Sequence, residues 1–203
     1  IAKYLTAKGH KVGGYDLRKS DITNKLEKNG VEINYENDLN SIPLSFKNES
    51  VIVIYTPAIS QKNEQLLFFK KQGNSIYKRS KFLGLLTKKF QTIAIAGTHG
   101  KTTTAAIATH LFHKTKQSFT AFVGGILNEF NSNVVINGTR YAIVEADEYD
   151  RSFLNLNPSL GLITSIDSDH LDIYGSFDEV KKSFEEFIKK ITNQVIVSKD
   201  LGI

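Results

Sequence analysis

The chain contains no cysteine, no methionine and no tryptophan, and only three prolines among 203 residues. Without cysteine there is no disulfide framework and no thiolate metal site, which fits a cytoplasmic setting. No apolar run approaches the roughly 18 residues that a bilayer-spanning helix needs, and no signal peptide is visible, so membrane insertion is not expected. Charge of one sign does not dominate: 26 basic residues face 21 acidic ones, a net +5 that could favour phosphate-bearing partners. The lysines, however, are dispersed in pairs such as Lys70-Lys71, Lys88-Lys89 and Lys181-Lys182. Such pairs read as solvated helix faces, and no nucleic-acid partner is expected. The missing methionine leaves no initiator. The opening IAKYLTAKGH reads as a helix already under way and the closing QVIVSKDLGI as a strand with little after it. Together these imply a piece cut from a longer protein at both ends.

Short apolar runs alternate with polar helical stretches along the whole chain. Strands are expected at 11–15, 31–33, 50–55 and 75–77, and helices at 20–30, 61–73 and 80–89, two of them closing on Gly30 and Gly73. A second unit begins with the strand TIAIA (92–96), then a helix over 101–114 and a strand over 118–124. An Asn/Gly-rich loop (125–133) follows. NVVING (133–138) and TRYAIVE (139–145) read as a hairpin or two successive strands, with Asn137-Gly138 as the turn signal. A strand at 160–166, an amphipathic helix at 177–191 and a strand at 194–198 complete the pattern. This alternation predicts an α/β fold with mostly parallel sheets covered by helices. The expected boundary divides residues 1–88 from 89–203.

The stretch TIAIAGTHGKTTTAAIATHLF (92–112) places Gly-x-x-Gly-Lys-Thr where a strand gives way to a helix. Glycines let the backbone approach an anion, and a helix N-terminus adds partial positive charge. Lys101 can reach outer phosphates and the Thr102 hydroxyl can ligate a magnesium ion. The general phosphate-loop pattern is incomplete, because Ile95 stands where its first glycine belongs. The strand–turn–helix context nonetheless predicts that Gly97, Thr98, His99, Gly100, Lys101, Thr102 and Thr103 cradle a nucleotide. His99 is given no chemistry of its own, and Thr104 is expected to cap the helix.

Two further signals follow strands. YAIVEADEYD (141–150) brings Glu145, Asp147, Glu148 and Asp150, and ITSIDSDHLDIYG (163–175) brings Asp167, Asp169, His170 and Asp172. Ligands gather beyond the carboxyl ends of strands in open α/β sheets. Carboxylates and a histidine placed there suggest a divalent cation beside the nucleotide.

AGTHGKTTT (96–104), EADEYDRSFL (145–154) and TSIDSDHLDIYG (164–175), in that order, resemble the Mur ligases, ATP-dependent amide-forming enzymes of peptidoglycan synthesis. GGYD (13–16), YTPAIS (55–60) and YKRSKFLGLL (77–86) extend the resemblance into the N-terminal part. The resemblance implies a Rossmann-like UDP-sugar-binding domain over 1–88 and a phosphate-loop-type ATPase domain over 89–203. A glycine-rich loop that should precede Ile1 and a third domain are expected to be missing, so residues 1–203 alone are expected to be inactive. The cofactors implied are ATP and Mg2+. Lys101 would contact the ATP phosphates, Thr102 would bind one magnesium, and Glu145 and His170 would hold a second. These three, Lys101, Glu145 and His170, would be the catalytic residues. Gly124, Gly125 and Asn128, with Arg151 and Ser152, would face the sugar-nucleotide, and Asp16 would lie near its uridine.

The implied reaction joins L-alanine to the carboxylate of UDP-N-acetylmuramate through an acyl phosphate. EADE followed by Tyr149 also resembles the family member that recycles a murein tripeptide. Ser165 stands where the family often has asparagine. Two readings outside the family remain: an unrelated phosphate-loop NTPase or kinase, and a dinucleotide-binding regulator built on KVGGYD. The first leaves EADEYD and SDHLDIYG unexplained.

Overall fold

Polar helical stretches between short apolar runs fold here as crossovers between parallel strands. The computed structural model describes residues 1–199 and 201. It separates into two units, Ile1–Phe82 and Leu83–Ile203.

The first unit opens with helix α1 (Ala2–Ala7), strand β1 (Gly13–Tyr15), helix α2 (Asp21–Lys28) and strand β2 (Glu32–Asn34). After two short 3-10 turns come strand β3 (Ile52–Tyr55), helix α3 (Glu64–Gln72) and strand β4 (Ser75–Lys78). β1 pairs with β2 and β3 with β4, both in parallel, so each pair closes a strand–helix–strand crossover. Local chemistry fixes the helix ends. Ser20 caps α2 by accepting the Thr23 amide while its own amide donates to the Thr23 hydroxyl. Asn63 caps α3, which ends on Gly73 in the left-handed conformation.

Helix α4 (Arg79–Thr87) leads into strand β5 (Gln91–Ala96), helix α5 (Lys101–Lys114), and strands β6 (Phe119–Leu127), β7 (Ser132–Asn137) and β8 (Tyr141–Glu145). A 3-10 segment (Tyr149–Asn155), strand β9 (Leu160–Ile163), helices α6 (Leu171–Tyr174) and α7 (Phe177–Lys189), and strand β10 (Gln194–Val197) complete the second unit. Its six-stranded sheet has the order β10-β9-β5-β8-β6-β7. Every neighbouring pair is parallel except β6 and β7. The chain is therefore α/β with mostly parallel sheets.

Of the two readings of 133–145, two successive strands form rather than a hairpin across Asn137-Gly138, and 125–133 is not a loop. β6 runs on to Leu127 and turns through a 3-10 segment (Asn128–Phe130). It then pairs antiparallel with β7, closing at Leu127 opposite Ser132. β8 instead inserts on the other side of β6, next to β5. The reason is burial: Ala142, Ile143 and Val144 are fully enclosed, which an edge position beside β7 could not provide. The turn at 137–140 carries the chain past the start of β6, with the Thr120 hydroxyl donating to the Gly138 carbonyl and the Tyr141 amide to that of Ser118.

One core forms where Ala105 of α5 meets Ile95, Phe119, Ala121, Val123 and Ile143 of the sheet. The Phe112 ring closes it, edge-on to Phe119 and Tyr141. On α7, Val180, Phe184 and Phe187 recur at helical spacing and are buried. Phe187 stacks on Phe153 at 4.7 Å and Phe184 meets it edge-on at 5.2 Å. Each of these three rings contributes about 2–3 kcal/mol of burial. This packing anchors the segments that follow β8 and β9.

Candidate functional site

β5 ends at Ala96, and the chain turns on Gly97 with φ at 137°. A Cβ there would lie 2.1 Å from the Thr164 hydroxyl and 2.9 Å from the Ser165 amide, so only glycine fits. The loop is laced to the segment after β9. The Thr98 amide donates to the Ser165 carbonyl at 3.0 Å and the His99 amide to the Ser165 hydroxyl at 2.8 Å. The Thr98 hydroxyl lies 2.9 Å from that of Ser165 and donates to Asp167 at 3.2 Å. Gly100, left-handed at φ 81°, is the N-cap of α5, and no side chain caps that end. Thr104 is thus not the expected cap: it lies inside the first turn, where its amide donates to the Gly100 carbonyl. An N-terminus capped only by glycine leaves its amides available to an anion.

Lys101 folds back over this loop. Its ammonium donates to the carbonyls of Gly97 at 2.6 Å and Thr98 at 3.3 Å. It also lies 2.9 Å from Glu148 Oε1 and 2.8 Å from Oε2. The directed hydrogen bond runs to Oε1, so Oε2 has the ammonium beside it but no hydrogen bond of its own. The Glu148 side chain is 1% exposed. Burial pushes its carboxyl above the usual carboxylate range, and the Lys101 hydrogen bond opposes that shift. The Tyr174 hydroxyl donates to the Glu148 carbonyl at 2.5 Å, and burial raises the Tyr174 phenol as well.

The Thr102 hydroxyl donates to Glu145 Oε1 at 2.8 Å, and the Gly124 amide donates to Oε2 at 2.8 Å. His170 faces Glu148, with Nε2 3.7 Å from Oε1. Its backbone is left-handed at φ 56°, its amide donates to Asp169 at 2.8 Å, and its ring meets Tyr149 edge-on at 5.2 Å. Asp150 and Arg151 share the left-handed conformation at φ 52°. Non-glycine residues held this way gather at functional sites.

The expected residues thus fall into two adjoining groups at the carboxyl edge of the sheet. Lys101 and His170 meet through Glu148, whereas Thr102, Glu145 and Gly124 meet directly. Gly125 sits beside them, where a Cβ would lie 3.0 Å from the Thr102 methyl. His99 is exposed, 3.6 Å from Asp167. Thr103 occupies the first turn of α5 and Asn128 opens the 3-10 turn after β6. Arg151 is engaged with Glu179 at 3.5 Å and lies over the Tyr174 ring, and Ser152 follows it in the 3-10 segment. Asp16 lines a cavity of about 810 Å³ within the first unit, together with Gly13, Asn34, Phe46, Tyr55 and Phe69. Sequence reasoning missed Glu148 as the partner of Lys101: four carboxylates stand within six residues, and nothing in the run marks the buried one.

The residues present suit a triphosphate and a hard cation. A Cβ at Gly124 would lie 3.0 and 3.1 Å from the two Glu145 carboxylate oxygens, so glycine there keeps a side chain off the oxygens that Glu145 and its partner Thr102 present. Those oxygens are the donor type that magnesium prefers. Among the described residues no group of three or more His, Asp or Glu side chains is arranged to hold a metal. Two protein ligands are enough for magnesium, which keeps several waters and takes phosphate oxygens.

A glycine turn, a lysine and a helix N-terminus at the carboxyl edge of a parallel sheet define a phosphate-loop α/β protein. Comparison narrows the class. Residues 95–201 match the family model described as Mur ligase middle domain, and residues 1–91 match the one described as Mur ligase family, catalytic domain. The chain belongs to the Mur ligase family. It is 46% identical over 193 residues to UDP-N-acetylmuramate--L-alanine ligase of Christiangramia forsetii, covering 94% of this chain and 43% of that protein. It is 43% identical over 208 residues to the ligase of the same name from Cytophaga hutchinsonii, covering 100% of this chain and 45% of that one. The chain therefore spans less than half the length of these curated relatives. Among solved structures, UDP-N-acetylmuramate-alanine ligase MurC from Thermotoga maritima superposes with a TM-score of 0.85 at 25% identity, covering 98% of this chain and 46% of that one. UDP-N-acetylmuramate:L-alanyl-gamma-D-glutamyl-meso-diaminopimelate ligase from Neisseria meningitides superposes at 0.86 with 18% identity, covering 98% and 66%. The latter likeness is one of fold alone.

Proposed function

We propose that this chain is part of an ATP-dependent ligase that joins L-alanine to the carboxylate of UDP-N-acetylmuramate, in the making of peptidoglycan precursors. The observation that carries the reading is the 46% identity, over 94% of the chain, to a relative named for that reaction. The phosphate loop agrees with it. Residues 1–88 take the uridine nucleotide sugar, with Asp16 in their cavity, and residues 89–203 take ATP. In the first step a carboxylate oxygen of the sugar substrate attacks the γ-phosphorus and ADP leaves. In the second the amine of alanine attacks the acyl carbon, phosphate leaves and a proton is released.

Magnesium, when bound, supplies positive charge that lets a carboxylate and a triphosphate approach each other. The chain's own residues do the rest. Amides at the start of α5 and the Lys101 ammonium neutralise charge on the phosphates. Thr102 would offer its hydroxyl oxygen to one cation, and Glu145 a carboxylate oxygen and His170 a ring nitrogen to a second. Gly124, Gly125, Asn128, Arg151 and Ser152 border the sugar-nucleotide. We assign the reaction to the cytoplasm, where ATP is at hand.

The amine separates this reading from its nearest rival. The protein at the full length of its relatives is given ATP, magnesium and UDP-N-acetylmuramate, with either L-alanine or L-alanyl-γ-D-glutamyl-meso-diaminopimelate, and ADP formation is followed. ADP formation that requires L-alanine is expected. Turnover with the tripeptide in its place, or turnover indifferent to both amines, overturns the reading.

A further inference from the structure

Glu148 is a fully buried carboxylate to which the proposed reaction gives no part. An ammonium has three N–H donors, and those of Lys101 already have acceptors on Gly97, Thr98 and Glu148. To meet a phosphate, Lys101 must release one of them. The Thr98 carbonyl at 3.3 Å is the longest of these contacts, and the Glu148 bond is the charge-assisted and stronger one. Letting go of Glu148 altogether would strand a buried charge, which is strongly unfavourable unless another cation takes it. The His170 ring lies against the same carboxylate, with Nε2 3.7 Å from Oε1. Glu148 is itself fixed, because its carbonyl accepts the buried Tyr174 hydroxyl.

We propose that Glu148 is a positioning residue: its carboxylate holds the Lys101 ammonium at the phosphate loop and is shared with His170, so that capture of a phosphate by Lys101 is coupled to the placement of His170. The proposal rests on the reading that this loop binds ATP. It has a consequence that simple scaffolding lacks. The Glu148 charge, held against the ammonium, offsets part of the attraction that Lys101 offers a phosphate, so it lowers nucleotide affinity while raising the fraction of bound nucleotide that is correctly engaged. Affinity and turnover then move in opposite directions when its charge is removed.

The test uses Glu148→Gln, Glu148→Asp and Lys101→Ala. ATP binding is measured by calorimetry with magnesium present, and kcat and KM for ATP are measured on the full-length protein. Lys101→Ala weakens ATP binding by roughly tenfold or more. Glu148→Gln binds ATP as tightly as wild type or tighter, by up to about tenfold, while kcat falls by about tenfold or more. Glu148→Asp keeps the charge on a shorter arm and recovers part of kcat. Without nucleotide, the Lys101 ammonium gives a protected 15N signal in wild type that Glu148→Gln loses, a readout that does not depend on activity. If Glu148→Gln loses ATP affinity in step with kcat, or leaves kcat, KM and the 15N signal unchanged, the proposal is overturned. If wild type binds no ATP at all, the ATP reading falls and takes the proposal with it.

Discussion

The hydroxyl of Thr102 lies 2.8 Å from Glu145 Oε1, and the other oxygen of the same carboxylate accepts the Gly124 amide at 2.8 Å. One side chain thus ties the first turn of α5 to β6 at Gly124. Glu145→Ala removes both acceptors. The magnesium concentration needed for half-maximal ATP binding is expected to rise by on the order of tenfold. A magnesium titration that does not move removes Glu145 from the cation's ligands.

Gly97 is required by space as well as by φ. In Gly97→Ala the new methyl meets the Thr164 hydroxyl and the Ser165 backbone, and the φ of 137° disfavours any side chain. The expected loss is about 1–3 kcal/mol in urea-induced unfolding, together with weakened ATP binding. A variant of wild-type stability and affinity would show that the loop and the segment after β9 are not packed as described.

Glu129 follows β6, with its carboxylate 2.7 Å from His110 Nδ1 on α5. The His110 hydrogen bond, with the nearby Lys114, holds the Glu129 carboxyl below the ordinary value of 4.5. A depressed carboxyl stabilises the fold above its unfolded value, and that contribution is lost as pH falls through the folded value. The titration of Glu129, followed by carboxyl 13C shifts, is therefore expected below 4.5 in wild type and closer to 4.5 in His110→Ala. Coincident titrations in the two proteins would rule the pair out as the cause.

Much of the fold was legible because its signals are local. Ser20 and Thr23 form a capping box, Gly73 ends α3 in the left-handed conformation, and TIAIA leads into Gly97. Periodicity identified β6 and α7. The place of β8 was not legible, since Asn137-Gly138 is a good hairpin signal and only the full burial of Ala142, Ile143 and Val144 sends the strand to the other side of β6. The candidate site divides in the same way. Lys101 and Thr102 stand out because phosphate chemistry needs those groups beside glycine at a helix start. Glu148 does not, because what sets it apart is its contact with Lys101 and with Tyr174, which meet it only in three dimensions. His170 stood out as the one histidine in an acidic loop, but its approach to Glu148 depends on a left-handed backbone that sequence does not announce.

The central claim is that one pocket at the carboxyl edge of the second sheet receives the phosphates of ATP. It is tested most directly by mapping amide chemical shifts of this chain as a non-hydrolysable ATP analogue is added with magnesium. The largest changes are expected at Gly97 to Thr103 and at Glu145, Glu148 and His170, and Lys101→Ala should abolish them. Saturable binding that leaves these amides unmoved, or that persists unchanged in Lys101→Ala, would contradict the account.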